Sequence, residues 1–392
     1  MKRIYLDHNA TTPITPEVLA AILPYLTDEF GNASSIHAYG QNARGAVERA
    51  RSSVADLVGA RAAEIMFTSG GTESNNHAIL GAAAAAPGKA RHVITSAIEH
   101  VAVLDPCRAL AKSGIDLTVL PVDRGGLLNP EDVRNAIRPE TVLITLMLAN
   151  NEIGTIEPIA GIGKIAAEMG IALHTDAVQA AGKIPIEVDK LGVDLLSISA
   201  HKFGGPKGVG ALYIRKGTQL GPLMYGGHSE RDRRPGTEDV AAIAGMGKAA
   251  ELALAGMREE SERVRSLRDR LEQGLLGRVP HSWVNGARAP RVPNTTNLTF
   301  PFIEGEAMVI ALDLKGIACS TGAACSSGAL EPSHVLMALG LVPEDARATL
   351  RLSLGHQTTE KEIDFALETI PPVIERLRQL SPTYKKPAIA EL

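Results

Sequence analysis

Short apolar runs and helix-spaced apolar positions take turns along the first half of the chain. Glu64–Thr68, His92–Ser96, Leu117–Pro121, Val142–Leu148 and Ala172–His174 are short, largely apolar and closed by polar residues, so they read as strands. Between them Val101–Lys112, Pro130–Ile137 and Ile159–Met169 read as helices. Ahead of them Ala43, Val47, Ala50, Val54, Leu57 and Val58 mark the buried face of a helix over Gln41–Val58. This βαβ alternation predicts an α/β fold, a mostly parallel sheet with helices on both faces, whose ligands gather beyond the carboxyl ends of the strands. Leu195, Leu196 and Ile198 begin a further strand, followed by a Ser-x-His-Lys corner, a glycine-rich loop and a strand over Ala211–Ile214.

Beyond Thr237 the pattern is helical to about Leu276, and the densely charged stretch Glu251–Arg270 puts a domain join near residue 258. Strands at Ser282–Val284, Thr296–Phe300 and Thr349–Ser353 mix there with helices at Gly305–Leu314 and Glu360–Leu380. The expected organisation is a large domain over 15–257 and a smaller α+β domain over 258–392, on which residues 1–14 pack.

Composition narrows the picture. A chain of 392 residues exceeds one simple core, and 45% hydrophobic with 21% charged residues is ordinary for a globular protein. A net charge of -4 argues against nucleic acid as the main partner. No stretch is expected to span a bilayer, the best being the short Ala78–Pro87, and the start turns polar at Asp7, unlike a signal peptide. Three cysteines, Cys107, Cys319 and Cys325, point to free thiols in a reducing cytoplasm.

Chemistry-bearing residues collect at the predicted strand ends. Lys202 follows Ser199 and His201 and precedes Gly204, Gly205 and Gly208. Burial disfavours a charged ammonium, and a neutral amine holds a carbonyl as a Schiff base; pyridoxal phosphate (PLP) is the aldehyde most often held so. A loop-capping lysine is the plain alternative. Ser69-Gly70-Gly71-Thr72 leads into a helix whose open N–H groups suit a phosphate, or simply form an N-cap. Asp176 suits a pyridinium nitrogen or a helix cap, and His100 suits stacking and proton transfer or a structural role. In Gly316–Pro332, rich in Gly, Ser and Ala, Cys325 stands in a loop with no core to fill, available as a nucleophile. Cys107 is expected to be buried and inert, and Cys319 to end a strand.

YLDHNATTP at 5–13, FGNASSIH at 30–37, TSGGTESNN at 68–76, EHVAV at 99–103, NNEIGT at 150–155, HTDAVQA at 174–180, SAHKFGGPKGVG at 199–210, GTED at 236–239, STGAACSSGALEPSHV at 320–335 and LRLSLG at 350–355 run almost end to end. In this ordered set the chain resembles a cysteine desulfurase of the NifS/IscS type, a PLP enzyme of the class V aminotransferase family. The resemblance implies the aspartate-aminotransferase-like fold type I, with a seven-stranded large-domain sheet. It makes Lys202 the Schiff-base lysine, Gly71, Thr72, Ser199 and His201 the phosphate contacts, and Thr237 a phosphate contact across a homodimer interface. Asp176 becomes the pyridinium partner, Asn151 and Gln179 contacts to the ring oxygen, and His100 the stacking acid/base. Arg351 and Asn32 bind substrate, and Cys325 takes up sulfur.

The implied reaction converts L-cysteine to L-alanine and leaves a persulfide on Cys325, with cationic groups such as Arg351 or a protonated His100 favouring the thiolate. The sulfur then passes to an iron–sulfur scaffold or another acceptor protein. No resident metal is implied, only a contact of Cys325 with an iron–sulfur cluster during transfer. Cys319 receives no role. The rival readings are a selenocysteine lyase or other class V enzyme, and a sulfur-scaffold binding module without turnover.

Overall fold

The structure, a computed structural model, describes residues 3–86, 88, 91–321 and 331–384. Ile4–Tyr5 forms a short first strand, β1. The main sheet is built from β2 (Ile65–Thr68), β3 (His92–Ser96), β4 (Asp116–Leu120), β5 (Thr141–Met147), β6 (Ala172–Asp176), β7 (Leu195–Ser199) and β8 (Gly210–Ile214). Its seven strands lie in the order β2-β8-β7-β6-β5-β3-β4. Neighbours from β7 to β4 run parallel, while β8 is antiparallel to both β7 and β2.

Every residue of β2, β3, β7 and β8 is buried, as expected of strands covered by helices on both faces. Burying Leu195, Leu196 and Ile198 contributes about 1.5–3 kcal/mol for each side chain.

A second body contains β9 (Trp283–Val284), β10 (Thr295–Thr299), β11 (Ile317–Ala318) and β12 (Thr349–Ser353). β10 pairs antiparallel with both β9 and β12, and β11 pairs parallel with β1. Ile4 and Leu6 sit in the same apolar core as Leu298, Ile317, Leu350 and Ile370, so the chain start completes a core formed mainly by its last third.

One helix, Val240–Arg278, joins the two bodies. Val240, Ile243, Met246 and Met257 belong to the sheet-side core, and Val264, Leu267, Leu271 and Leu275 to the other. The expectation that no stretch is long and apolar enough to cross a membrane needs correcting, because this helix is, by length and composition. Its apolar side chains are shared between the two cores, which accounts for a composition that alternating helical periodicity alone did not flag. Two short helices, His334–Ala338 and Pro343–Arg347, have too few turns to carry a readable periodicity. The first is fixed by its cap, the Ser333 hydroxyl accepting from Leu336 N at 3.3 Å.

Candidate active site

The strand β2 ends in a turn that starts the helix Gly71–Ala85. The cap position is Gly70, at φ +152°, and it supplies no side-chain acceptor, so the first-turn N–H groups stay open. The turn is pressed against its neighbours: a Cβ on Gly210 would lie 2.7 Å from the Cα of Gly70, and one on Gly71 2.7 Å from Cγ2 of Val178. Ser199 Oγ, at the end of β7, lies 3.8 Å from where a Gly70 Cβ would be. The first-turn acid Glu73 accepts from Ser69 N at 2.8 Å and Arg234 Nε at 2.9 Å. Burial works to raise its pKa, but these bonds outweigh it and hold the group below the ordinary value. Its charge is therefore already balanced.

Asp176 ends β6. Its carboxylate accepts from Asn75 Nδ2 at 2.7 Å and Val178 N at 2.9 Å, so a buried charge is aimed and hydrogen-bonded. His100 caps the helix Val101–Lys112, its Nδ1 accepting from Ala102 N at 3.1 Å. Burial lowers its pKa; Asp176 opposes the shift, while Lys202 and His334 add to it. His100 is thus the neutral tautomer with its proton on Nε2.

Lys202 sits in the single turn after β7. Its Nζ donates to Asn9 O at 2.6 Å and Ala10 O at 2.9 Å. The preceding His201 meets Thr11 Oγ1 through Nδ1 at 3.1 Å, and burial together with Lys202, Lys207 and Lys183 brings its pKa down to about 4. Gln179 donates to Asn9 O at 2.9 Å and accepts from Lys183 Nζ at 2.6 Å. Asn151 contributes its backbone carbonyl, which accepts from Asn9 Nδ2 at 3.0 Å and Arg351 Nη1 at 3.2 Å. Arg351, buried on β12, also donates from Nη2 to Asp7 at 2.7 Å, and its Nε has no partner among the described residues.

Lys202, Gln179, Asn151 and Arg351 are therefore joined through Asn9 in one hydrogen-bonded cluster, with His201 beside it on Thr11, Asp176 and His100 coupled to it electrostatically, and Gly71 and Ser199 at the adjacent turn. Thr72 is exposed at the start of its helix. Among the described residues no hydrogen bond joins Asn32 or Thr237 to the cluster: Asn32 accepts from Ser34 N at 2.9 Å, and Thr237 is exposed. Cys325 lies outside the described residues. Cys107 and Cys319 are buried free thiols, each pushed up to about 12, chiefly by burial, and neither is a ready nucleophile.

Sequence reasoning missed three members of the cluster. Asn9 and Asp7 lie in the motif YLDHNATTP without a role of their own, and Lys183 carries no pattern that sets it apart. Lys183 donates to Asn9 Oδ1 at 3.2 Å, and burial, with Lys202 and Arg351 nearby, lowers its pKa well below the ordinary value. A cavity of about 300 Å³ opens behind Lys202, lined also by Lys183, Phe203, Met257 and Asn294; His100, Asp176 and Arg351 do not line it.

PLP fits the residues present. The uncapped helix start offers N–H groups to a phosphate, the oriented Asp176 carboxylate suits a ring nitrogen, His100 supplies a neutral ring, and Lys202 supplies the amine.

The family profile of the class V aminotransferases matches residues 4–365. A protein named cysteine desulfurase IscS from Dictyoglomus turgidum is 53% identical over 98% of both chains. Another of that name, from Methanosarcina thermophila, is 52% identical over 98% of this chain and 95% of its own. Among solved structures, a NifS-like protein superposes with a TM-score of 0.89 at 36% identity, covering 96% of this chain and 100% of that one.

Proposed function

The chain belongs to the class V aminotransferase family and is a PLP-dependent cysteine desulfurase, and on that premise we propose how its residues divide the work. The observation that carries the assignment is that Lys202 and Arg351 are tied together through Asn9 and Asn151, while Asp176, electrostatically coupled to His100, is bonded to Asn75 on the helix whose start is uncapped.

The open N–H groups at Gly71 and Thr72, with Ser199 and His201, would hold the phosphate, and Asp176 the pyridine nitrogen. Asn151 and Gln179 would sit by the ring oxygen, and His100 against the ring. Bound there, PLP supplies an electron sink for a carbanion at the substrate Cα. Arg351 grips the L-cysteine carboxylate through its planar fork, and Asn32 adds a substrate contact. The Lys202 amine takes the Cα proton onto Nζ. His100, with its proton on Nε2, stands ready to hand it over or exchange it. The Cys325 thiolate then attacks the substrate sulfur. One S–S bond forms, the substrate C–S bond breaks with its electron pair left on Cβ, and the fragment takes one proton at Cβ, regains one at Cα from Lys202 and leaves as L-alanine.

We read the chain as a cytoplasmic homodimer in which Thr237 serves the partner's site. The exposed rings of Phe30 and Tyr39, 5.5 Å apart, support that reading as apolar surface available to a second copy. The persulfide on Cys325 passes to an iron–sulfur scaffold or another acceptor protein.

The test is a cysteine pulse followed by alanine quantification and peptide mapping. Alanine should appear together with one extra sulfur on the peptide containing Cys325, and Cys325→Ala should bind PLP yet make little alanine. Extra sulfur on Cys107 or Cys319, or full alanine production by the variant, would overturn the roles assigned. No alanine from the wild type would favour a binding module, and fast turnover confined to selenocysteine would favour a lyase.

A further inference from the structure

Asn9 is 2% exposed and uses every hydrogen-bonding group it has. Its carbonyl accepts from Lys202 Nζ and Gln179 Nε2 at 2.6 and 2.9 Å. Its Oδ1 accepts from Lys183 Nζ and Asn294 Nδ2 at 3.2 and 3.0 Å. Its Nδ2 donates to Asn151 O and Thr295 Oγ1 at 3.0 and 2.8 Å, and its N–H donates to Ser353 Oγ at 2.9 Å.

These partners fall into two sets. Lys202, Gln179, Lys183 and Asn151 come from the main-sheet body, while Asn294, Thr295 and Ser353 come from β10 and β12 or their edge. Arg351 lies on β12, two residues before Ser353, and donates to the same Asn151 carbonyl as Asn9. An amino-acid substrate must be gripped from both sides at once, its carboxylate by Arg351 and its Cα beside Lys202. The separation between those two anchors depends on how the bodies are registered.

We propose that Asn9 is a positioning residue that sets the distance between the Lys202 amine and the Arg351 guanidinium by pinning both bodies to one buried side chain. The proposal rests on the roles given above to Lys202 and Arg351. A misplacement of about 1 Å between reacting groups can lower the rate by about a hundredfold. Loss of Asn9's donor should therefore reduce turnover more than affinity.

Asn9→Asp keeps shape and the Oδ1 acceptor but turns the Nδ2 donor into an acceptor facing Asn151 O. Thr295→Val removes the hydroxyl that receives the same donor, and Thr295→Ser retains it. Each PLP-loaded variant is assayed for kcat and KM with L-cysteine, and by visible circular dichroism without cysteine, a signature of how the cofactor is held. The expected result is kcat down about tenfold or more in Asn9→Asp and about threefold or more in Thr295→Val. KM should change less than kcat, the dichroism should be altered, and Thr295→Ser should be near wild type. Folded, PLP-loaded variants with wild-type kcat and dichroism overturn the proposal, as does a loss that Thr295→Ser shares. If Asn9→Asp does not fold, the Thr295 pair decides. Failure of the wild type itself to release alanine would strike the functional reading instead of this one.

Discussion

Glu99, next to the active-site histidine, is fully buried. Its Oε1 accepts from Ser96 Oγ at 2.6 Å and Met147 N at 2.9 Å, while Oε2 has no partner among the described residues. Burial drives its pKa up to about 8; the two hydrogen bonds pull it down, and the charges of Asp176 and Glu157 push it further up. The folded state thus keeps a proton that the unfolded chain releases near pH 4.5. Stability from this group is complete below pH 4.5 and falls as pH rises toward 8, by about 1.4 kcal/mol for each unit. By pH 7 the loss is on the order of 3 kcal/mol.

Glu99→Gln keeps the accepting oxygen and titrates nothing. It also places a buried N–H₂ where Oε2 was, a pH-independent cost of about 1–3 kcal/mol. Urea unfolding of wild type and variant under saturating PLP, from pH 5 to pH 8, should show the variant gaining relative stability with pH. Infrared difference spectra at neutral pH should lose one protonated-carboxyl band. Glu157, also pushed up to about 8, titrates in both proteins, so the difference between the two curves reports Glu99 and its coupling to Glu157. A stability difference that stays flat with pH would refute the reasoning.

Gly71→Ala should weaken PLP binding by about tenfold or more, since its Cβ would lie 2.7 Å from Val178 Cγ2 beside the phosphate site; cofactor titration by fluorescence checks this. Arg351→Lys should raise KM for L-cysteine by about 10–100-fold, because a lysine has no planar fork for a carboxylate, and kcat should fall less. Cys319→Ala should change turnover less than about tenfold, as a buried thiol pushed up to about 12 is no nucleophile; persulfide mapping on the same variant should still find sulfur on the Cys325 peptide.

The chemistry at strand ends was readable because it is local. A βαβ pattern fixes where ligands gather, so Lys202, Asp176 and His100 could be marked as candidates there, and the ordered motifs then chose between their functional and structural readings. The strands His92–Ser96 and Thr349–Ser353 and the helices Ile159–Met169 and Glu360–Leu380 match their patterns residue for residue. Asn9 was not readable, because its meaning is non-local: its hydrogen-bond partners lie 142 to 344 residues away. Lys183 was hidden for a related reason, since only the folded chain removes water from it. The lowered pKa of His100 comes first from burial, with Lys202 and His334 adding to it, and only folding supplies either.

The pairing of β1 with β11 also says something about the order of birth. The first strand leaves the ribosome first, yet Leu6 belongs to a core that waits for β12. Asn9 and Ser353 are separated by 344 residues. At about 5–20 residues per second that is a wait on the order of tens of seconds, long enough for the main-sheet body to fold alone. Lys202 itself is made 193 residues after Asn9, and for the roughly 150 residues that follow it Arg351 has not been made. A nascent chain therefore holds the amine without the guanidinium, and sulfur chemistry begins only once translation has delivered the last strand.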